Sequence, residues 1–236
     1  MPEIRPTQQQ TGVKQYGRID LVICLDTTGS MDPIIDAVRD YIITHLISEM
    51  KNQMTKNQMP FDWRARVIGF GDLDADPFYT IPFTSDESVL VDAIRNITHS
   101  GGSTEYDLDA LMAAADSPWK TDAATHRIVV LFTDEPTHPA LHPSTGSGNV
   151  QTVINKLTSQ RIKLFLFGPD DSTFLELQKV PKSEIMLFPE SQVHEMLIKL
   201  DFRKIFEQMA KTISSEMIKS SVTLQVGIPG LPSKSL

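Results

Sequence analysis

The fold of this chain is indicated most clearly by residues 19–30, which read Ile19-Asp20-Leu21-Val22-Ile23-Cys24-Leu25-Asp26-Thr27-Thr28-Gly29-Ser30. Its first seven residues are apolar almost throughout, as is typical of a strand buried on both faces of a parallel sheet. Asp26, Thr28 and Ser30 follow at alternate positions, just before a helix-like pattern, and an extended turn can aim alternate side chains at one point. A carboxylate and two hydroxyls are hard oxygen donors that suit Mg²⁺ or Mn²⁺. The stretch therefore predicts a central strand that leads into a metal-binding turn.

Length and composition are those of a globular chain with one large domain. The 236 residues carry 30 acidic and 22 basic side chains, which gives a net charge of −8. This balance, without any basic run, disfavours nucleic acid, and no apolar stretch approaches the ~20 residues that span a membrane. The start of the chain does not resemble a secretory signal, and the single cysteine, Cys24, lies in the predicted strand, so we expect a cytoplasmic protein. We predict a disordered lead at 1–17, one domain at 18–218 and a C-terminal extension or tail at 219–236.

Strand-like and helix-like segments alternate along the domain, which predicts an α/β fold with a doubly wound, mostly parallel sheet and helices on both faces. Pro82 cannot donate a ladder hydrogen bond, so we expect its strand to be an antiparallel edge strand. Residues 222–226 alternate like a strand, and we interpret them as an extra edge strand or a tail that docks a partner. The predicted strands are 19–25, 63–70, 78–83, 127–132, 163–167 and 185–188, and the predicted helices are 33–51, 86–97, 105–115, 149–160, 171–179 and 193–215.

Two further oxygen-bearing side chains are expected near the turn. In a doubly wound sheet, ligands bind at the carboxyl ends of the strands, where loops from different units converge. Thr104 stands in the glycine-rich loop 101–104, which opens a helix, and Asp134 follows the buried strand 127–132. We therefore expect both side chains to lie close enough to contact a cation that the turn binds.

These residues resemble the metal-ion-dependent adhesion site (MIDAS) of the von Willebrand factor A-like (VWA) domain family. The family pattern is D-x-[ST]-x-S, then a distant Thr, then an Asp after a hydrophobic strand, and it is matched here in order by Asp26, Thr28, Ser30, Thr104 and Asp134. The resemblance covers about residues 18–215 and implies a Rossmann-like VWA fold. It implies that Thr28 and Ser30 bind Mg²⁺ through their hydroxyls, with Mn²⁺ or Ca²⁺ as substitutes. Asp26 and Asp134 would act mainly through water, and Thr104 directly or through water.

The resemblance implies an interaction module and not an enzyme. Few direct carboxylate ligands leave the cation electron-poor, so it can bind a further anionic oxygen from an Asp or Glu of a protein partner. The segment 134–138 resembles VWA proteins of intracellular bacterial type, which implies a stress-response or defence complex. Two positions depart from the pattern. Thr28 replaces the commoner Ser and keeps the hydroxyl, whereas Glu135 stands where many members have a small residue, and it either faces solvent or tightens the site.

Asp72, Asp74 and Asp76 alternate after the second predicted strand, at the same end of the sheet. An EF-hand loop is excluded because Pro77 and Phe83 stand where it needs Gly and Glu. Three interpretations stay open for these acids: a solvated acidic loop, a rim that selects basic or metal-bridged partners, or a second cation site.

Histidines add one candidate to the rim of the binding face, which we predict from Asp72, Asp74, Glu135 and His138. His138 and His142 are four apart, but the prolines at 139 and 143 disfavour a helix that would present both to zinc. Surface loop histidines are therefore the favoured interpretation. The other histidines are scattered along the chain and predict no cluster; they are His45, His99, His126 and His194.

Two other functions stay open from the sequence. An Asp directly after a buried strand is also typical of Mg²⁺-dependent phosphoryl-transfer enzymes, but those with an Asp-x-Asp pattern need a carboxylate where Thr28 stands. The other alternative is a structural subunit with a permanently bound ion. Unfolding with and without a chelator separates these functions, since a tightly bound ion contributes more to stability.

Overall fold

A computed structural model describes residues 17–75, 77–98 and 104–226, with side chains as far as Lys219. The predicted lead up to residue 16, Asp76, His99, most of the glycine-rich loop and the end of the chain from residue 227 lie outside the described residues. Within the described part, no helix is both long and apolar enough to cross a membrane.

Six strands form a single sheet and confirm the predicted fold class. They are β1 Gly17–Asp26, β2 Phe61–Phe70, β3 Tyr79–Thr80, β4 Thr125–Phe132, β5 Ile162–Pro169 and β6 Glu184–Phe188. Their order across the sheet is β3-β2-β1-β4-β5-β6. Neighbouring strands are parallel except β2 and β3, so β3 is the predicted antiparallel edge strand. It covers two residues instead of the predicted 78–83, and Pro82 lies beyond its end.

Helices cover both faces of this sheet. They are α1 Asp32–Tyr41, α2 Ser48–Lys56, α3 Glu87–Arg95, α4 Asp107–Ala115, α5 Val150–Ser159, α6 Ser172–Glu176, α7 Val193–Ile198 and α8 Phe202–Val226. Side chains of α1, α2, α3, α7 and α8 pack on one face, and those of α4, α5 and α6 on the other. β1 serves both cores, because Ile23 and Leu25 face the first and Val22 and Cys24 face the second. Cys24 is buried, as the apolar run predicts.

The first predicted helix is longer than its apolar pattern indicates. It continues from α1 through a π-helical segment, Ile42–Ile47, into α2 and ends at Lys56 instead of near residue 51. Met50 and Met54 belong to α2, and their side chains are fully buried in the core. Packing against the core therefore stabilises the extra turn. The apolar residues of this stretch are widely spaced, so the sequence pattern predicts the turn only weakly.

The prediction for the end of the chain is wrong in two respects. The single helix predicted at 193–215 is interrupted between α7 and α8, where the Asp201 carboxylate accepts a hydrogen bond from the backbone N–H of Lys204 at 3.1 Å and begins a new helix. Residues 222–226, predicted as a strand or docking tail, form the last turns of α8. A helix propagates with one hydrogen bond per residue once it is nucleated, so α8 overrides the short alternating pattern.

Candidate metal centre

The candidate site is built where β1 and β4 end side by side. The two strands are parallel neighbours, with Leu25 opposite Phe132, so the residues that follow them leave the sheet together. The Thr28 hydroxyl donates to Asp26 Oδ1 at 2.8 Å and lies 3.2 Å from the Ser30 hydroxyl. The Ser30 hydroxyl donates in turn to Asp134 Oδ1 at 3.2 Å. Four of the five predicted site residues thus form one continuous chain of oxygen atoms.

Asp26 forms the buried end of this chain of oxygen atoms. Its side chain is fully buried, and its Oδ1 also accepts a hydrogen bond from the backbone N–H of Thr28 at 2.9 Å. Its Oδ2 accepts from the Thr133 hydroxyl at 3.0 Å. Burial raises the pKa of Asp26 to about 6, the negative charge of Asp134 acts in the same direction, and the hydrogen bonds from Thr28 oppose both. Both oxygens are therefore held in place by residues of the turns that follow β1 and β4.

Two acids that the sequence analysis did not select lie beside Asp26. Glu105 and Asp107 are buried where the chain enters α4. Among the described residues, Glu105 Oε2 and both carboxylate oxygens of Asp107 have no hydrogen-bond partner of good geometry, although the Thr133 and Thr137 hydroxyls lie near enough to Asp107 to lower its pKa. Burial and the negative charges of Asp26, Asp107 and Asp134 raise the pKa of Glu105 to about 9. Burial, followed by the charge of Asp26, raises the pKa of Asp107 well above its usual range.

The chemistry of this end of the sheet fits a divalent cation. Within residues 17–75, 77–98 and 104–226, no Lys or Arg forms an ion pair with Asp26, Glu105, Asp107, Asp134 or Glu135. Unpaired buried carboxylates are costly, and a cation in front of Asp26 would offset their charge. Across the same ranges, no group of three or more His, Cys, Asp or Glu side chains is arranged to hold a metal. The donor set in front of Asp26 instead combines the Thr28 and Ser30 hydroxyls with carboxylates, which are oxygen donors that Mg²⁺ accepts.

Thr104 is the predicted site residue that this chain of oxygen atoms does not include. It is half-buried and begins the described segment that leads into α4. In the part of the chain that the structure describes, its hydroxyl forms no hydrogen bond with the other four. The neighbouring Glu105 is close enough to Asp26 and Asp134 for their charges to raise its pKa. The loop therefore reaches the site at Glu105.

The comparison with protein families agrees with this architecture. A family model described as the von Willebrand factor type A domain matches residues 20–196. The chain belongs to this family. The matched segment begins in β1, ends in α7 and includes all five predicted site residues. A comparison with curated proteins found no match.

An open groove lies beside the oxygen chain of this VWA domain. It has a volume of about 760 Å³ and is lined by Ser30, Asp134, Glu135, Glu190 and His194 among others. His194 Nδ1 lies 2.9 Å from Asp134 Oδ2, so Asp134 is held from both sides. Burial and the charges of Asp134 and Glu190 raise the pKa of Glu135. The face next to the candidate cation is therefore acidic.

Three of the four residues predicted for the rim, Asp72, Asp74 and His138, lie around Tyr106, whereas Glu135 lines the groove beside Asp134. Asp74 Oδ1 lies 3.0 Å from His142 Nε2, and its Oδ2 accepts a 3.5 Å hydrogen bond from the Tyr106 hydroxyl. The Tyr106 ring also packs against His138, with ring centroids 5.3 Å apart, and against His142 at 4.9 Å. Asp72 contributes through its Oδ1, which accepts a hydrogen bond from the backbone N–H of Asp74 at 2.9 Å.

The residues that the sequence analysis missed differ in how visible they were. Glu105 and Asp107 directly follow Thr104, so two acids at the start of a predicted helix were a local signal. Thr133 precedes Asp134 and was equally visible. The sequence around His194 gave no local signal, because its contact with Asp134 joins positions 60 residues apart. His194 forms this one contact with Asp134, and among the described residues it joins no group of three or more metal-ligating side chains.

Proposed function

We propose that this chain is a non-enzymatic, Mg²⁺-dependent protein-interaction module. VWA domains commonly serve as protein-interaction modules, and the family of this chain is shown by the match over residues 20–196. The observation that carries the proposal is the continuous chain of oxygen atoms from Asp26 to Asp134 at the carboxyl ends of β1 and β4. It places hydroxyl and carboxylate oxygens together at the edge of an open groove.

Each residue of the site has one role in this proposal. Thr28 and Ser30 would hold Mg²⁺ through their hydroxyls, and Mn²⁺ or Ca²⁺ can take its place. Asp26 and Asp134 would act mainly through bound water, with Thr104 completing the set. The ion supplies a Lewis-acidic position that is left for an Asp or Glu carboxylate of a protein partner.

The environment of Asp26 supports binding over catalysis. A phosphoryl-transfer enzyme that uses an Asp nucleophile needs a carboxylate oxygen free to attack its substrate. Asp26 is fully buried, and each of its oxygens accepts a hydrogen bond from Thr28 or Thr133. We therefore favour the interaction module over the phosphoryl-transfer enzyme.

The proposal extends to the cellular setting of the protein. The segment 134–138 resembles intracellular bacterial VWA proteins, and we propose a role in a cytoplasmic stress-response or defence complex. The single cysteine is buried, which suits a reducing compartment. Co-purification from a bacterial host that carries the natural neighbouring genes tests this setting, and a partner unrelated to stress or defence would contradict it.

Binding of Mn²⁺ alone tests the metal site directly. Mn²⁺ titration followed by electron paramagnetic resonance should show one site in the wild-type protein, because free and bound ions differ in their spectra. Ser30→Ala removes one hydroxyl of the oxygen chain and should weaken Mn²⁺ binding about tenfold or more. The control is Ser191→Ala, which removes an exposed hydroxyl from the same groove and should leave binding unchanged. Equal affinity in wild type and Ser30→Ala would overturn the proposed ligand set.

The interaction itself is tested by affinity capture with Mg²⁺ or with EDTA. A partner should be retained by the wild-type protein in Mg²⁺ and released by EDTA, and Asp26→Ala should not retain it. Asp26 is buried, so circular dichroism must first show that this variant is folded, and Ser30→Ala serves as the milder variant. A partner that binds equally well in EDTA would contradict a metal-bridged contact.

A further inference from the structure

A second cavity lies at the opposite end of the sheet from the candidate metal centre. It has a volume of about 400 Å³ and is lined by the amino ends of β4 and β5, by residues 181–182 before β6, and by α8. We call it the amino-end cavity. Its volume lies within the range of small-molecule sites in proteins. Neither the metal set nor the partner face proposed above involves it.

Positive charge collects in the amino-end cavity, although the whole chain has a net charge of −8. Four cationic side chains line it: Arg127, Arg161, Lys163 and Lys182. Lys163 is neutralised by Glu184 at 2.8 Å and Glu216 at 3.0 Å, and Lys182 lies 3.7 Å from Glu216. Four cations thus face two carboxylates. The cavity keeps a surplus of positive charge that a ligand can use.

The two arginines account for that surplus. The Arg127 guanidinium donates to neutral oxygens, namely the carbonyl oxygens of Gln160 at 2.9 Å and Lys120 at 3.0 Å and the side-chain oxygen of Gln160 at 3.0 Å. Arg161 has no ion pair in the described part of the chain. Because a guanidinium presents donors in a rigid fork, it suits phosphate and carboxylate groups.

Backbone conformation sets two of these cationic residues apart from most of the described chain. Arg161 and Lys182 have φ values of +55° and +63°, a left-handed conformation that is strained for residues other than glycine. Of the described non-glycine residues, the third with positive φ is Gln58, which does not line this cavity. Glycine would relieve the strain at both positions, so each cationic side chain can be removed there without a cost in backbone energy.

The rest of the lining is apolar or uncharged. Ala123, Thr158 and Pro181 are exposed and provide accessible apolar atoms, whereas Ile128, Ile162 and Ile213 are almost fully buried beneath them. Burial lowers the pKa of His126, so its imidazole stays neutral at physiological pH and can donate or accept a hydrogen bond. The cavity therefore has one cationic part and one apolar part.

We propose that the amino-end cavity binds a small organic anion, with a phosphate or carboxylate group held by Arg127, Arg161 and Lys182 and an apolar or aromatic body against Ala123 and Pro181. The site is independent of the proposed Mg²⁺-dependent function, since it lies at the other end of β4. Loss of one binding activity is thus distinguishable from loss of the other.

Titration calorimetry with a simple aryl anion tests this site. The probe is 1-naphthyl phosphate, with 1-naphthoate as the carboxylate and 1-naphthol as the uncharged compound. The full chain should bind at least one of the two anions more tightly than 1-naphthol, and the preferred anion identifies the headgroup. Arg161→Gly and Lys182→Gly should each weaken that binding about tenfold, as expected when one charge-assisted hydrogen bond is lost.

Gln58→Gly is the matched control, because it relieves the same backbone strain away from the cavity. All three glycine variants should melt at the wild-type temperature or above it, whereas anion binding should fall only in the two cavity variants. The proposal is overturned if neither anion binds better than 1-naphthol. It is also overturned if Arg161→Gly and Lys182→Gly bind the anion as tightly as Gln58→Gly does.

Discussion

Asp107 shows what a single buried acid does to this site. It is fully buried at the start of α4, and among the described residues only the Thr133 and Thr137 hydroxyls lie near enough to oppose the rise in its pKa, without good hydrogen-bond geometry. Burial and the charge of Asp26 raise its pKa well above the usual range. An acid in this position favours a folded state that keeps the proton or binds a cation nearby.

This pKa shift predicts how stability depends on pH in EDTA. Between the unfolded and folded pKa values of Asp107, the folded state holds a proton that the unfolded state has released, so stability falls as pH rises. The slope for one such group is about −1.4 kcal/mol per pH unit. As pH rises above the ordinary pKa of an aspartate, the unfolding free energy of Asp107→Asn should therefore fall less steeply than that of the wild type, by up to this slope. Urea unfolding at several pH values measures it.

Asp116→Asn is the control for this pH dependence. Asp116 follows the same helix but is exposed and pairs with Lys156 at 2.5 Å, so its substitution should leave the slope unchanged. Identical slopes for wild type and Asp107→Asn would show that Asp107 is not the source of the pH dependence.

At the scale of elements, β1 carries a buried acid near each end, and the two have different roles. Asp26 at the carboxyl end receives hydrogen bonds from hydroxyls and faces the candidate metal centre. Asp20 near the amino end is also fully buried, but Arg64 donates to both of its oxygens, at 2.7 and 2.6 Å. The backbone N–H of Lys120 adds a third bond at 2.7 Å. Asp20 is therefore a structural tie between β1, β2 and the loop before β4.

Asp20→Ala should destabilise the protein by about 3 kcal/mol, because it removes one partner of a buried ion pair and leaves Arg64 unpaired. Asp62→Ala is the matched control, since Asp62 is more exposed and its pairs with Arg18 and Lys120 lie at 3.1 and 2.9 Å. Exposed pairs contribute less than about 1 kcal/mol. Urea unfolding measures both, and equal losses would contradict this assignment of roles.

At the scale of the whole molecule, the sheet separates two sites of opposite charge. The carboxyl ends of β1 and β4 carry the buried acids and the acidic groove, and the amino ends of β4 and β5 carry the cationic cavity. Parallel strands make this separation possible, because all their carboxyl ends lie at one edge of the sheet. We therefore expect a divalent cation to bind one end without occupying the other.

Removing Mg²⁺ should lower the melting temperature without unfolding the protein. At a free Mg²⁺ concentration of 100 times Kd, a cation that binds only the folded state contributes about 2.7 kcal/mol. For a chain of this size, that corresponds to about 5–10 °C. Differential scanning calorimetry in Mg²⁺ and in EDTA measures the shift. Complete loss of the folding transition in EDTA would instead favour the permanently bound structural ion.

The sequence by itself determined the fold class and most of the candidate site. The apolar run 19–25 could only be a strand buried on both faces, and the alternation of strands and helices predicted the parallel sheet. Asp26, Thr28 and Ser30 are close in sequence, so their convergence follows from one turn. Asp134 was predictable because its strand ends at the same edge of the sheet.

Tertiary structure alone decided what surrounds these residues. His194 meets Asp134 across 60 positions, and the cationic cavity joins residues from β4, β5 and α8. The course of α8 through residues 222–226 also differs from the local alternating pattern. These features depend on how distant segments pack. The energy of packing comes from burial and contact between elements, and the spacing of apolar residues within one segment does not reveal those contacts. The oxygen donors of the site were thus predictable from short stretches of sequence. The charge around the site, the residues on its rim and the separate amino-end cavity depend on how the whole sheet is assembled.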